Sequence, residues 1–400
     1  MDDKNSLIGG DTIRTFPFIN MKTTHNILFQ DARDLKEIPS ESVDLVVTSP
    51  PYPMIEMWDE MFSHQNPEIQ NALANGDGKQ AYALIHEILD AVWNEVFRVL
   101  KNGRFACINI GDATRTVKGN FCLYPNHARI LTHLLDTGFS ALPDILWRKQ
   151  ANTPNKFMGS GMLPAGAYVT LEHEYILIVR KGPKREFKTE KEKENRRESG
   201  LFWEERNVWY SDVWTDIKGT GQKLPKAMSR LRSAAFPFEL AYRLINMYSV
   251  KGDVVLDPFL GTGTTTAAAI TSGRNSIGVE IDESFQQAIC PVAHHIVDFS
   301  NGYLSNRLQS HFAFVKNRIQ NSGALKYTNK HYGCPVVTSQ EQLILLNGLK
   351  EIHTRGDNIF DVMYSTKPQT WNFDQPLEAV NGNKMKPHTK PSQLSMLDTQ

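Results

Sequence analysis

The chain has 400 residues, of which 44 are basic, 44 are acidic and 40% are hydrophobic. This length and hydrophobic content allow one large or two ordinary domains with a sizeable core. No apolar run approaches the roughly 20 residues that a membrane-spanning helix needs, and the N-terminal residues Asp2, Asp3 and Lys4 are not typical of a signal peptide. We therefore expect a cytoplasmic protein without membrane contact.

The predicted elements alternate between strands and helices. A short strand is predicted at residues 25–29, a buried strand at 43–48, an amphipathic helix at 82–100 that Asn102-Gly103 would cap, and a strand at 105–110. A further strand, helix and strand are predicted between residues 254 and 279. This alternation is typical of an α/β fold.

The pentapeptide Thr48-Ser49-Pro50-Pro51-Tyr52 directly follows the second predicted strand. Proline fixes φ and lacks an N–H group, and it restricts the residue before it, so this segment is rigid and extended. The Ser49 hydroxyl and the Pro50 carbonyl can each accept a hydrogen from an exocyclic amino group of a nucleobase. Tyr52 supplies a stacking face for a base that has left its helix. A strand followed by a proline turn is the competing structural interpretation.

A second motif follows a short apolar strand near residue 255. Asp257 is followed by Phe259, Gly261, Gly263 and Thr264, and the stretch 267–270 then indicates a helix. Glycine lets the backbone turn tightly and approach a ligand closely. The pattern predicts a strand, a glycine-rich turn and a helix.

Glu280 ends the next predicted strand, residues 276–279. An acidic side chain at this place can accept hydrogen bonds from both ribose hydroxyls of a nucleoside cofactor, as in dinucleotide-binding folds. A dinucleotide fingerprint is therefore the competing interpretation, but Thr266 stands where that fingerprint has Gly or Ala. No Gly-Lys-Ser/Thr sequence follows the glycines, so a P-loop is not indicated.

With both motifs present, the chain resembles the amino-methylating DNA methyltransferases that use S-adenosyl-L-methionine. It resembles the permuted, beta-type group, in which the catalytic motif precedes the cofactor motif. The resemblance covers roughly residues 25–180 and 225–295. It implies an α/β fold with a seven-stranded, mostly parallel, doubly wound sheet, an inserted DNA-recognition region and a C-terminal extension. The strands that lead into the two motifs are then neighbours.

The resemblance also implies roles for individual residues. Ser49, Pro50, Pro51 and Tyr52 are the expected catalytic residues. Cofactor contacts are expected from residues of the glycine motif and of three flanking segments: Asp257, Phe259, Gly261, Gly263, Thr264, Glu280, Asp34, Phe236 and Pro237. Phe236 and Pro237 belong to the segment before the cofactor strand. In the family, this segment helps enclose the methionine end of the cofactor.

The charges balance overall but are unevenly distributed. Residues 180–198 hold nine basic and five acidic side chains, and residues 214–232 hold five basic and one acidic. The first run is either a DNA-contacting segment or a solvated Lys/Glu helix face. The second is predicted to follow DNA phosphates. The two runs flank the aromatic residues Phe202, Trp203, Trp209, Tyr210 and Trp214, and the expected DNA contacts are Lys218, Lys223, Lys226, Arg230 and Arg232.

The expected domain organisation follows these motifs. It comprises a lead-in at 1–24, the catalytic half of the core at 25–180, a basic and aromatic recognition segment at 181–235, the cofactor half at 236–295, a C-terminal extension and candidate recognition element at 296–364, and a flexible tail at 365–400. Cys107, Cys122, Cys290 and Cys334 form no C-x-x-C pair, and His173-Glu174 lacks the H-E-x-x-H spacing. We therefore expect reduced thiols and no metal.

The predicted activity is methyl transfer from S-adenosyl-L-methionine to N4 of cytosine in duplex DNA through a flipped base. Ser49 favours cytosine because the adenine enzymes of the family usually carry Asp or Asn there, and N6 of adenine is the alternative. The resemblance implies a modification enzyme, with a cognate restriction endonuclease as a further partner. A recognition subunit with a degenerate methyltransferase core and an NAD-dependent oxidoreductase are the competing hypotheses.

Overall fold

The computed structural model describes residues 21–149, 158–219, 236–365 and 368. The strands are β1 Lys22–Phe29, β2 Val43–Thr48, β3 Leu100–Ile110, β4 Ala113–Val117, β5 Asn120–Tyr124, β6 Phe139–Ala141, β7 Ile145–Arg148, β8 Met158–Gly159, β9 Ala167–Tyr168, β10 His173–Lys181, β11 Val213–Trp214, β12 Val254–Asp257, β13 Asn275–Glu280, β14 Tyr327–Thr328, β15 Pro335–Val336, β16 Leu349–Thr354 and β17 Ile359–Tyr364. The helices are α1 Asp59–Gln65, α2 Glu68–Asn75, α3 Gly78–Val99, α4 Asn126–Thr137, α5 Glu190–Glu198, α6 Trp203–Trp209, α7 Phe238–Tyr248, α8 Thr264–Thr271 and α9 Gln286–Ser322. Short 3₁₀ segments lie at Glu56–Trp58, Glu283–Phe285 and Ser339–Leu343.

Eleven of the described strands form one central sheet. Its main path has the order β11-β7-β10-β3-β2-β12-β13-β1-β17-β16, and β6 pairs with β10. Five consecutive strands, β3, β2, β12, β13 and β1, are parallel. β10 is antiparallel to both β3 and β7. The predicted α/β class with a mostly parallel central sheet is confirmed.

The segment after residue 295 extends this sheet. β17 pairs antiparallel with β1, and β16 pairs with β17, so both add to the edge beyond the parallel strands. α9 runs without a break through the boundary that was predicted at residue 295. The segment 296–364 is therefore continuous with the cofactor half of the core. The predicted tail, apart from residues 365 and 368, and most of the predicted lead-in lie outside the described residues.

Helices cover both faces of the sheet, and β2 shows how its sequence produces this. All six of its residues are buried. Leu45 and Val47 pack in a cluster with Leu240 of α7, whereas Val46 packs in a second cluster with Val92 of α3. Side chains alternate along a strand, so consecutive apolar residues, such as the run 45–47 here, are what a strand covered on both faces requires.

The long predicted helix forms as α3, but its predicted cap is wrong. The helix ends at Val99, and the chain enters β3 directly at Leu100. Gly103 instead has a φ of +76° within β3, where a Cβ atom would lie 2.8 Å from the backbone nitrogen of Arg185. Within the described ranges, no helix is long and apolar enough to cross a membrane.

The strand directions define the edge that carries the two motifs. The carboxyl ends of β3, β2, β12 and β13 meet at one edge, because these strands are parallel neighbours. β7 ends at the same edge and β10 begins there, because both are linked antiparallel to β3 through β10. We call this edge the carboxyl edge and the opposite one the amino edge.

Candidate active site

The two sequence motifs meet at the carboxyl edge. β2 and β12 are parallel neighbours, with Leu45 opposite Val255 and Val46 opposite Leu256. Thr48, the last residue of β2, donates a hydrogen bond from Oγ1 to Oδ1 of Asp257, the last residue of β12, over 2.6 Å. The predicted neighbour relation of the two motifs is therefore present as a direct contact.

Asp257 organises the glycine turn from within. Its Oδ2 accepts a hydrogen bond from Thr265 Oγ1 over 2.6 Å, and its Oδ1 also accepts the backbone N–H of Phe259 over 3.0 Å. Burial raises the pKa of Asp257 to about 6, although the hydrogen bonds from Thr265, Thr48 and Phe259 act in the opposite direction. Both carboxylate oxygens are thus engaged within the protein, so Asp257 supports the loop that carries the glycines.

The glycine turn and Glu280 form one unit. Gly261 and Gly263 have φ values of +55° and +85°, and Gly263 is the N-cap of α8. Glu280 accepts the backbone N–H of Gly261 over 2.8 Å and that of Asp282 over 3.0 Å, one on each carboxylate oxygen. A Cβ atom at Gly261 would meet no atom within 4 Å, so the turn leaves space beside its backbone. An acidic side chain beside an open glycine turn at a helix N-terminus fits a nucleoside cofactor.

The other predicted cofactor residues have differing surroundings. Phe259 packs edge-on against Trp93, with ring centroids 5.9 Å apart, and Thr264 is the first residue of α8. Pro237 is the N-cap of α7, and Phe236 before it is buried in the core. α7 leads through a short turn into the amino end of β12, so its N-terminus lies toward the carboxyl edge.

Asp34 lies in the loop that connects β1 to β2. Its side chain is 58% exposed, and its carboxylate pairs with Lys36 Nζ over 2.9 Å. The loop leaves the carboxyl end of β1 beside β13, where Gln30 donates its backbone N–H to the carbonyl of Glu280. Asp34 is therefore on the cofactor side of the site, while its carboxylate is committed to a lysine.

The predicted catalytic segment, Ser49-Pro50-Pro51-Tyr52, is anchored through the hydroxyl of Tyr52. This hydroxyl donates to Glu174 Oε2 over 2.7 Å and accepts from Asn109 Nδ2 over 2.8 Å. Ser49 Oγ donates to the same hydroxyl over 3.2 Å. Lys149 Nζ binds the other carboxylate oxygen of Glu174 over 2.8 Å. Pro50, between Ser49 and the half-buried Pro51, is buried.

Asn109 and Glu174 are the functional candidates that the sequence reasoning missed. Asn109 is on β3 and Glu174 on β10, and both side chains are buried. Asn109 Nδ2 also donates to Glu174 Oε2 over 2.7 Å, while its Oδ1 has no partner. The signal is a polar residue at the end of an apolar run: Asn109 follows the run 105–108 of β3, and Glu174 directly precedes the run 175–179 of β10. A single sequence does not show that the two signals meet at Tyr52.

Two further features define the setting of Tyr52. Burial and the nearby charge of Glu174 raise its pKa well above the usual value, so its hydroxyl stays protonated. A Cβ atom at Gly111 would lie 2.9 Å from Cε2 of the Tyr52 ring. Any larger residue at position 111 would therefore clash with the Tyr52 ring in its present position.

Of the five predicted DNA contacts, only Lys218 lies within the described residues; Lys223, Lys226, Arg230 and Arg232 lie outside them. Lys218 is exposed, and the preceding Ile217 accepts a hydrogen bond from Trp147 Nε1 over 2.9 Å. A Cβ atom at Gly219 would lie 3.4 Å from the Lys149 side chain. Lys218 is thus close to the active-site network.

The first basic run lies elsewhere. Lys181 ends β10 at the amino edge, where its Nζ donates to the carbonyls of Phe97 and Leu100. β10 spans roughly 26 Å, so the first basic run is separated from the catalytic segment by the length of this strand. Arg185 pairs with Asp253, and α5 forms a Lys/Glu helix with exposed side chains. This placement favours the alternative of a solvated helix face.

The aromatic cluster between the basic runs is largely core. Phe202, Trp209 and Trp214 are at most 4% exposed and pack with α7 and α9. These three rings are therefore not available to nucleic acid, contrary to a surface role in the recognition segment. Among the residues that the structure describes, no group of three His, Cys, Asp or Glu side chains is placed to hold a metal ion.

Comparisons with known proteins identify the family. A family model described as DNA methylase, of the N6/N4 methyltransferase type, matches residues 43–290. The chain is 52% identical over 345 residues to the type II methyltransferase M.MthZI of Methanothermobacter thermautotrophicus, covering 86% of this chain and 96% of that protein. It is 51% identical over 282 residues to the type II methyltransferase M.MjaI of Methanocaldococcus jannaschii, covering 68% and 91% of the two chains.

A solved structure agrees as well. A putative DNA modification methylase from Thermus thermophilus, in complex with S-adenosyl-L-methionine, is 32% identical and has a TM-score of 0.53, covering 68% of this chain and 93% of that one. The fold and the paired motifs define a methyltransferase of the α/β class. The chain belongs to the N6/N4 family of DNA methylases. The cofactor expected from the sequence is the molecule bound in the Thermus relative.

Proposed function

We propose that this protein transfers a methyl group from S-adenosyl-L-methionine to the exocyclic N4 of cytosine in duplex DNA. The observation that carries the proposal is the hydrogen bond between Thr48 and Asp257, which joins the amine-handling motif to the glycine motif at one edge of the sheet. Ligands of doubly wound sheets bind at this carboxyl edge. The membership in a family of DNA methylases supports the reaction class.

The cofactor half of the site holds the methyl donor. Glu280 is fixed by the backbone N–H groups of Gly261 and Asp282, with its carboxylate beside the open turn, where it can accept the ribose hydroxyls. Gly263 and Thr264 begin α8, and Phe236 and Pro237 stand on the side of the methionine end. S-adenosyl-L-methionine supplies a methyl group on a sulfonium, which is the electrophile of the reaction.

The target half positions the amine. Ser49 Oγ donates a hydrogen bond to the Tyr52 hydroxyl, so its lone pairs can accept one amino hydrogen of the base. The Pro50 carbonyl accepts the other amino hydrogen. These two hydrogen bonds draw the lone pair out of conjugation with the ring and back onto the amino nitrogen, which is the attacking atom. A new N–C bond forms as the bond between the methyl carbon and sulfur breaks, the electron pair of that bond stays on sulfur, and the methylated nitrogen releases its extra proton to solvent. The attacking atom belongs to the base, so no cysteine nucleophile is required.

Catalysis then consists mainly of positioning. Holding the reacting atoms near attack distance can contribute roughly 7–11 kcal/mol. The base leaves the helix at a cost of about a few kcal/mol, which stacking on Tyr52 and phosphate contacts offset. The hydrogen bonds with the buried Asn109 and Glu174, and the pairing of Lys149 with Glu174, keep the Tyr52 ring in a fixed place before the base arrives.

The cytosine assignment rests on Ser49, since the adenine enzymes of the family usually carry Asp or Asn at this position. The family model covers both N4 and N6 chemistry, so N6 of adenine is the second candidate. M.MthZI and M.MjaI are both type II methyltransferases, which supports a modification role with a cognate restriction endonuclease acting on the same site.

Variants of the catalytic segment test the proposal. Ser49→Ala and Tyr52→Ala should lower single-turnover methylation of duplex DNA while S-adenosyl-L-methionine affinity, measured by calorimetry, stays near wild type. Tyr52→Ala should lose roughly 1–3 kcal/mol of base stacking. Ser310→Ala, at an exposed serine of α9, is the matched control and should leave both quantities unchanged. Wild-type rates in both catalytic variants would contradict the assignment.

A further inference from the structure

Two β-hairpins rise from the carboxyl edge beside the catalytic segment. The first, β4–β5, follows the carboxyl end of β3, and the second, β8–β9, lies between the end of β7 and the start of β10. The base of the first hairpin is tied to the residues that follow Tyr52. Asn126 Nδ2 binds the carbonyl of Pro53 over 3.1 Å, and Arg115 binds both carboxylate oxygens of Asp59.

The hairpins carry an unusual share of exposed apolar side chains. Half of the twelve exposed large hydrophobic residues in the described part of the chain lie on the two hairpins or directly after them: Phe121, Leu123, Met162, Leu163, Tyr168 and Val169. Met162 is 85% exposed and Leu163 70% exposed, both in the turn of the second hairpin. Phe121 stacks on Tyr168 with ring centroids 4.8 Å apart, so the hairpins form one surface. Contiguous exposed apolar surface marks an interaction site.

The charge pattern of this surface favours a polyanion. Neither residues 113–124 nor residues 158–171 contain an Asp or Glu, although 44 of the 400 residues of the chain are acidic. Lys118 is exposed at the turn of the first hairpin, and Lys149 and Lys218 lie at the base of the second, near Glu174. An apolar surface that lacks carboxylates and is flanked by lysines fits a nucleic acid whose bases are contacted between its phosphates.

We propose that the hairpin surface enters duplex DNA at the target base pair, with Met162 and Leu163 as the wedge. Apolar side chains of this size, inserted between base steps, unstack them and hold the helix open. The surface lies beside the target half of the site, because the first hairpin follows β3, which carries Asn109, and the second hairpin leads into β10, which carries Glu174. A base displaced by the wedge is then released next to Tyr52. The inference rests on the proposed function, and it assigns the opening step to residues outside the catalytic segment.

Weakening the target base pair distinguishes a defect in base-pair opening from a defect in methyl transfer. The target position is first located in wild-type-methylated DNA. Two duplexes are then made, one fully paired and one with a mismatched base opposite the target, which lowers the cost of extrusion. Wild type, Leu163→Ser and the double variant Met162→Ser/Leu163→Ser are compared in single-turnover methylation. Leu135→Ser is the matched control, because Leu135 is 45% exposed on α4 near the amino edge.

We expect the double variant to lose about tenfold or more in rate on the paired duplex and to recover to within about threefold of wild type on the mismatched duplex. Leu135→Ser should match wild type on both. Equal losses on the two duplexes, or an unchanged rate on the paired one, would overturn the wedge. So would a wild-type dimer that becomes monomeric in the variants, because the surface would then join two copies of this chain. Failure of wild type to methylate either duplex would instead refute the proposed function.

Discussion

Replacing Tyr52 by Phe removes one hydroxyl from the centre of the catalytic network and leaves the aromatic ring in place. That hydroxyl donates to Glu174 Oε2 over 2.7 Å and accepts from Asn109 Nδ2 over 2.8 Å. A hydrogen bond to a charged partner contributes about 1.5–3 kcal/mol, against about 0.5–1.5 kcal/mol for a neutral pair. We expect the free energy of unfolding to fall by about 1.5–3 kcal/mol in Tyr52→Phe. Methylation by the folded variant should largely persist, since the ring face remains.

A double-mutant cycle with Glu174→Gln isolates the free energy of the hydrogen bond between Tyr52 and Glu174. In the Glu174→Gln background, the same Tyr52→Phe change should cost only the neutral value of about 0.5–1.5 kcal/mol. Urea unfolding of the four proteins gives the coupling free energy, and Tyr168→Phe, at an exposed hydroxyl, is the control. A loss below about 0.5 kcal/mol, the range of ordinary surface changes, or an equal loss in both backgrounds would refute the role assigned to the network.

Three further predictions concern the cofactor turn and the DNA. Glu280→Ala should weaken S-adenosyl-L-methionine binding by roughly 1.5–3 kcal/mol in calorimetry, and unchanged affinity in a folded variant would remove Glu280 from the site. Because the pKa of Asp257 is raised to about 6, the folded state holds its proton more tightly than the unfolded chain. Wild type should therefore lose up to about 3 kcal/mol of unfolding free energy relative to Asp257→Asn as the pH rises from about 4 to 6, whereas a constant difference would contradict this pKa. Replacing Lys218, Lys223 and Lys226 together by Ala should flatten the log-log salt dependence of DNA binding by up to about three units, and an unchanged slope would place these lysines off the DNA.

The parts of the fold with strong local signals were predictable. β2 and β12 occupy the predicted residues, because a strand buried on both faces needs consecutive apolar residues, which both strands have. The glycines at 261 and 263 adopt positive φ values, as the predicted turn requires. Apolar runs and glycines in tight turns can therefore be recognised from a single sequence.

Tertiary partners were not predictable in the same way. Glu174 is separated from Tyr52 by 122 positions, and nothing near either residue records the hydrogen bond between them. Trp209 and Trp214 stand in a polar stretch that two basic runs flank, and only packing against α7 and α9 shows that they are core residues. β17 lies in the predicted C-terminal extension, and its pairing with β1 leaves no local signal because it joins opposite ends of the chain.

Nucleoside analysis of the product tests the central claim most directly. Duplex DNA is incubated with the wild-type protein and isotopically labelled S-adenosyl-L-methionine, digested to nucleosides and analysed by mass. The account predicts labelled N4-methylcytosine. Labelled N6-methyladenine would retain the amino-methyltransferase mechanism but contradict the inference from Ser49, and the absence of any labelled methylated base would contradict the account as a whole.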